Sequence, residues 1–98
     1  MSGSILFSVY LNERLSARGL DKLDLGRELG YRTLVPVSRW CRGEVLPPSS
    51  NLPAIAQVLN ADPVEVSVVW LISKCPELED VLFREVLEPR GSKVLRMI

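Results

Sequence analysis

The sequence predicts an all-α chain of five or six short helices, and three observations lead there. Apolar residues recur three and four positions apart along most of its length, the spacing of one helix face. Capping residues stand where these runs begin, at Ser4, Asp21, Thr33 and Asp62. Glycine or proline stands where they end, at Gly19, Gly30, Gly43, Pro76 and Pro89.

The first helix is expected over residues 4–18, after a loose start at residues 1–3. Leu6, Val9 with Tyr10, Leu11 and Leu15 line its inner side, and Asn12, Glu13, Arg14 and Arg18 face out. Ile5 and Phe7 make its first turns more apolar than a lone surface helix needs, so they pack on the C-terminal segment or meet another chain.

Residues 21–43 organise the rest: DKLDLGRELGYRTLVPVSRWCRG. A helix over 21–29 begins at Asp21, with Asp24 in the first turn where the helix dipole favours a carboxylate. Leu25 and Leu29 give it an apolar face, Gly26 leaves room for a neighbouring helix, and Gly30 can take the left-handed conformation that stops it. A second helix is expected to start near Thr33 as cap, with Pro36 in its first turn, where a missing N–H does no harm. Val37, Trp40 and Cys41 then face inward, Ser38, Arg39 and Arg42 face out, and Gly43 ends the helix. Two short helices about a glycine turn, the second carrying arginines, form the pattern of a DNA-reading helix-turn-helix.

A Pro/Ser-rich connection over 44–50 follows. One of Ser49, Ser50 or Asn51 caps the next helix, which places Pro53 in its first turn, Leu52, Ile55, Ala56 and Leu59 on its inner face, and its end at Asn60-Ala61. Asp62-Pro63-Val64-Glu65 is a start signal: cap, proline at the first helical position, glutamate at the third. The helix over 63–74 is apolar nearly all round, and a small domain cannot cover every side of it. Cys75-Pro76 breaks it. A last amphipathic helix over 76–88 carries Leu78, Val81, Leu82 and Val86 on one face, widened by Phe83 and Leu87, with Glu77, Glu79 and Asp80 at its N-terminal end. The basic tail over 93–98 is read as a disordered arm or a short strand for a partner. The expected division is a domain over 1–75 and a C-terminal helix and tail over 76–98.

The chain has 98 residues, 47% of them hydrophobic, enough for one core without staples. Twelve basic and twelve acidic residues give zero net charge, so composition alone does not point to nucleic acid. The charge is uneven: the first fifty residues are +2 and the rest −2, and residues 27–42 hold four arginines against one glutamate. The absence of histidine removes the commonest general base, the Ser-His and Cys-His nucleophile pairs and histidine metal sites. The acidic cluster reads as a helix start, so no enzyme and no cofactor or metal is expected. Cys41 and Cys75 form no C-x-x-C pair and read as reduced thiols of a cytoplasmic protein. The apolar run over 5–11 is too short for a signal peptide and lacks a basic flank, and no stretch reaches membrane-spanning length.

The chain resembles a Cro/CI-repressor-type (lambda-repressor-like) helix-turn-helix domain over about residues 11–70. The matching residues are Leu15, Arg18-Gly19-Leu20, Leu25-Gly26, Leu29-Gly30, Val37-Ser38-Arg39-Trp40, Arg42-Gly43, Leu46-Pro47, Leu52, Ile55-Ala56, Leu59 and Asp62. Two departures stand beside them. The stretch from Gly30 to Val37 is one residue longer than the family pattern, and Leu34 and Val35 occupy a face where polar base-reading side chains are common. The resemblance implies a sequence-specific transcriptional regulator, a small repressor of the phage or mobile-element kind, that binds a pseudo-palindromic operator in double-stranded DNA as a dimer. Thr33, Ser38 and Arg39 would lie near base edges, Lys22, Arg32 and Arg42 on phosphates, and Val35 with Leu34 against thymine methyls. The homodimer seam is expected at Val68, Val69, Trp70, Ile72, Leu78, Leu82, Phe83 and Val86, because pairing would cover the apolar helix. The other class is a protein-interaction module, an antitoxin or antiactivator binding another regulatory protein; zero net charge and the apolar contact face favour it.

Overall fold

Through residues 5–92 and 94, which the computed structural model of the chain describes, six α-helices succeed one another. They are α1 (Ile5–Ala17), α2 (Lys22–Glu28), α3 (Val35–Cys41), α4 (Leu52–Leu59), α5 (Pro63–Lys74) and α6 (Glu79–Leu82). A 3-10 turn (Ser49–Asn51) leads into α4 and another (Pro76–Leu78) into α6, which runs on into a π-helical turn (Phe83–Leu87). No strand occurs among the described residues, so the all-α expectation holds. The expected cap at Ser4 and the tail residues 93 and 95–98 lie outside the described residues.

The helix ends follow from local chemistry. The Asp21 carboxylate accepts from the Asp24 backbone N–H at 2.9 Å while the Asp24 carboxylate accepts from the Asp21 N–H at 3.0 Å, so two otherwise orphaned donors are satisfied reciprocally. At the other end of α2, Gly30 takes φ +84°, and the Tyr31 N–H reaches back to the Gly26 carbonyl at 2.9 Å. The same closure ends α3, with Gly43 at φ +75° and the Glu44 N–H on the Arg39 carbonyl at 3.0 Å. At the end of α4 the left-handed residue is Asn60 rather than a glycine, at φ 51°.

Helix α5 lies at the centre, against α1 on one side, α4 on another and the C-terminal segment on a third. Val66, Val69 and Ile72 are buried there, each contributing about 1.5–3 kcal/mol relative to exposure. The chain's own elements therefore cover most of a helix that the sequence suggested they could not. Val68 and Ser73 are buried too, and the Ser73 hydroxyl accepts from the Phe7 backbone N–H at 2.8 Å, tying the start of α1 to the end of α5. Phe7 itself belongs to the core, with Leu6, Tyr10, Leu11 and Leu15; Val9, expected inside, is exposed.

The segment after Cys75 departs from expectation. It is not one regular helix but a 3-10, an α and a π stretch, closed by the Glu88 N–H on the Phe83 carbonyl at 2.8 Å. Its inner line is Glu79, Phe83 and Leu87, four residues apart, while Leu78 and Val81 are exposed and Leu82 and Val86 half-buried. The largest side chain, Phe83, has the most to gain from burial and sets the rotation of the segment. Phe83 and Leu87 join the same core as α1–α5, so the break at Cys75 marks a change of helix and not a second core.

Asp62, Pro63 and Glu65 start α5 as expected, and Glu65 has a further part. It accepts from the Tyr10 hydroxyl at 2.6 Å and the Ser92 hydroxyl at 2.7 Å, holding the residues after the π-helical turn onto α1 and α5. Burial, then the Glu65 hydrogen bond, pushes the Tyr10 phenol above its ordinary value.

Candidate nucleic-acid interface

Helices α2 and α3 pack together through Leu25, Gly26, Val37 and Trp40, all buried. Gly26 faces Val37, but a Cβ there would stand 3.6 Å from Val37 Cγ2, an ordinary contact, so the approach of the two helices does not require a glycine. Trp40 is core, as expected, and its ring meets Tyr31 edge-on at 5.6 Å between centroids. The Asn51 amide donates to the Tyr31 hydroxyl at 2.7 Å, so the turn between α2 and α3 is tied to the start of α4.

Helix α3 is anchored from α1 as well. Asn12, expected to face only solvent, donates its side-chain amide to the Cys41 carbonyl and the Ser8 carbonyl, both at 2.8 Å. One free carbonyl at the end of α3 is thereby satisfied. Behind it, the Trp70 indole N–H donates to the Pro47 carbonyl at 2.9 Å, and the Lys74 ammonium lies 5.1 Å from the Trp70 ring centre. This bond ties the loop that follows α3 to α5.

Thr33 does not cap α3. The helix starts at Val35 with Leu34 in the cap position and no side-chain cap bond, and Pro36 is its second residue. Pro36, whose fixed φ suits the first turn of a helix, sets the start, and the turn after Gly30 runs on to Leu34. Thr33 and Arg32 are exposed in the turn itself. They line a cleft of about 290 Å³ with Leu23, Gly26, Arg27, Tyr31 and Leu34.

The outer side of α3 carries Val35, 62% exposed, then half-buried Ser38 and exposed Arg39 and Arg42. Lys22 is exposed at the start of α2. Its positive charge and that of Arg42 both reach the Cys41 thiol, although burial outweighs them and pushes that thiol up. Arg32 and Thr33 belong to the turn, and Val35 is the first residue of α3.

The sequence reading missed Glu44. Its carboxylate takes the Arg42 Nε–H on Oε2 and lies 3.5 Å from Arg39 Nε on Oε1. The Arg42 hydrogen bond, aided by the charges of Arg42 and Arg39, holds the Glu44 carboxyl below the usual carboxylate range. The available signal was position: Gly43 turns the chain back, which brings the next residue beside the last turn of α3.

The residues expected at a dimer seam divide by burial. Val68, Val69, Ile72 and Phe83 are interior to the single chain, Trp70, Leu82 and Val86 are half-buried, and Leu78 is exposed. Among the described residues no group of three or more His, Cys, Asp or Glu side chains is placed to hold a metal ion, and no helix is long and apolar enough to cross a membrane. No protein-family model, curated protein or solved structure matches the chain.

Proposed function

We propose that the chain is a sequence-specific DNA-binding regulator of the Cro/CI-repressor type, with α3 entering the major groove. The observation that supports this most is the two-sidedness of α3. Val37, Trp40 and Cys41 fix it to the core, while Val35, Arg39 and Arg42 stand exposed on its outer side. A rigidly held helix with exposed guanidinium groups has the chemistry to read base edges and phosphates together. Lys22, Arg32 and Arg42 supply phosphate contacts, Thr33, Ser38 and Arg39 approach base edges, and Val35 with Leu34 offers apolar contact to thymine methyls.

The test is affinity for duplex DNA at several salt concentrations, on a selected site and on scrambled duplex. Arg39→Ala should cost about 1–3 kcal/mol on the selected site and relax discrimination at one base pair per half-site. Arg42→Ala should weaken binding to both duplexes and lower the salt slope by about one unit per contact. Failure of the wild-type chain to bind any duplex at low salt removes the reading.

A second reading, docking of another regulatory protein, is favoured by one observation. Leu23 and Leu34 line the cleft beside the α2–α3 turn and are exposed, as is Val35 at the start of α3. Leu34→Ser with Val35→Ser would abolish such docking and leave the fold intact.

A further inference from the structure

We infer that Glu44 is a positioning residue that holds Arg39 for a base edge and Arg42 for the adjoining phosphate, and thereby sharpens sequence specificity; the inference rests on the DNA-binding reading and deepens that same site.

Arginine carries one N–H on Nε and four more on the two Nη groups. Glu44 meets both arginines at Nε, accepting a hydrogen bond from Arg42 and lying 3.5 Å from Arg39. The Nη groups of Arg39 and Arg42 make no hydrogen bond among the described residues. End-on recognition of guanine O6 and N7, or of a phosphate, uses those Nη donors. One carboxylate at the Nε side therefore holds two guanidinium planes while leaving their recognition ends available.

The carboxylate is itself placed by backbone. The Glu44 N–H closes α3 on the Arg39 carbonyl, and Gly43 at φ +75° makes that turn. A shared partner restrains two long side chains at once, each of which otherwise gives up rotamer freedom on binding. Glu44 also carries a negative charge close to where phosphates would run. That charge opposes binding to arbitrary sequences, where orientation contributes nothing, and is offset on the correct site, where it does.

Charge and reach make different predictions, and two variants separate them. A duplex is first selected by the wild-type chain from a randomised pool, and affinities are then measured on it and on a scrambled duplex. Glu44→Ala should weaken binding to the selected site and strengthen or leave unchanged binding to scrambled DNA, so that their ratio falls about tenfold. Glu44→Asp keeps the charge but is too short to reach both Nε atoms, and its ratio should fall as well. In an Arg39→Ala, Arg42→Ala background, removing Glu44 should no longer change the ratio. If Glu44→Ala raises both affinities equally and Glu44→Asp behaves as wild type, Glu44 acts only by repulsion and the inference is overturned. If both affinities fall with the ratio unchanged and the melting temperature drops, its role is structural and the inference is again overturned. A wild-type chain that binds DNA without selecting a sequence overturns the positioning role alone; one that binds no DNA overturns the functional reading with it.

Discussion

At the scale of single residues, carboxylates do much of the organising. Asp62 starts α5 by accepting from the Val64 N–H at 2.9 Å and takes two hydrogen bonds from Arg90 at 2.9 and 2.6 Å. The Arg90 guanidinium, and then the Val64 N–H, hold its carboxyl below the ordinary value of 3.8. The folded chain thus binds this proton less tightly than the unfolded chain. The stabilisation is complete above the ordinary value and is lost as pH falls through the lowered folded value. Asp62→Asn keeps a good cap but removes the charge. Melting temperature measured against pH should show the variant below wild type at neutral pH and the gap closing below about pH 4. Glu65 joins distant parts of the chain by accepting from Tyr10 and Ser92, while Glu44 gathers Arg39 and Arg42 from the last turn of one helix.

At the scale of elements, the decisive feature is how α3, only seven residues long, is held still. So short a helix has no stability of its own in water. Packing of Val37 and Trp40 supplies most of what it needs, and Asn12 secures its C-terminal end from α1. Asn12→Ala should destabilise the chain by about 0.5–1.5 kcal/mol. Amide exchange at residues 41–44 should speed up more than exchange elsewhere. Apolar spacing and the glycine and proline positions made the order of α1–α5 legible, and the caps agreed at α2 and α5. Asp21 and Asp62 cap as read, and Gly30 and Gly43 turn as read, whereas α4 has Asn51 in the cap position with no side-chain cap bond. What was not legible depended on contacts distant in the chain. Asn12 and Cys41 are 29 residues apart, Tyr10 and Glu65 are 55 apart, and no local pattern announces either pair. Thr33 misled because a good capping side chain stood one residue before the cap position, Leu34, that Pro36 set. The inner face of the last segment was misread because a π-helical turn breaks the 3.6-residue spacing on which the reading relied. Of the candidate site, the exposed face of α3 and the turn at Gly43 were readable; that the Glu44 carboxylate then meets Arg39 and Arg42 depends on side-chain placement that no spacing announces.

At the scale of the whole molecule, the central position of α5 changes where two copies would meet. A dimer that presents two α3 helices to successive major-groove faces, about 34 Å apart, remains our proposal for the assembly. Its seam has to use surface that the single chain leaves open, and on the C-terminal segment that is Leu78, 37% exposed, and Val81, 44% exposed, beside half-buried Leu82 and Val86. Leu78→Glu with Val81→Glu should give folded monomers in sedimentation at micromolar concentration. Val69→Glu should instead unfold the chain, because it places a carboxylate where the side chain is 0% exposed, at a cost of several kcal/mol. A wild-type chain that sediments as a monomer at the same concentration would falsify the dimer.

The bond between Trp70 and Pro47 gives this chain a built-in optical reporter. The two tryptophans stand in different places: Trp40 inside the proposed DNA-reading unit, and Trp70 on α5, holding the loop that carries Glu44. Indole emission responds to the polarity and hydrogen bonding around the ring, so a displaced loop changes the colour of Trp70 before any helix melts. In Trp40→Phe, with Trp70 as the single emitter, engagement of Arg42 by DNA should shift the emission maximum, and the shift should saturate together with binding. The same light would follow the loop in denaturant, where emission that reddens ahead of the loss of helical signal would mark residues 44–48 as the first part of the molecule to come away.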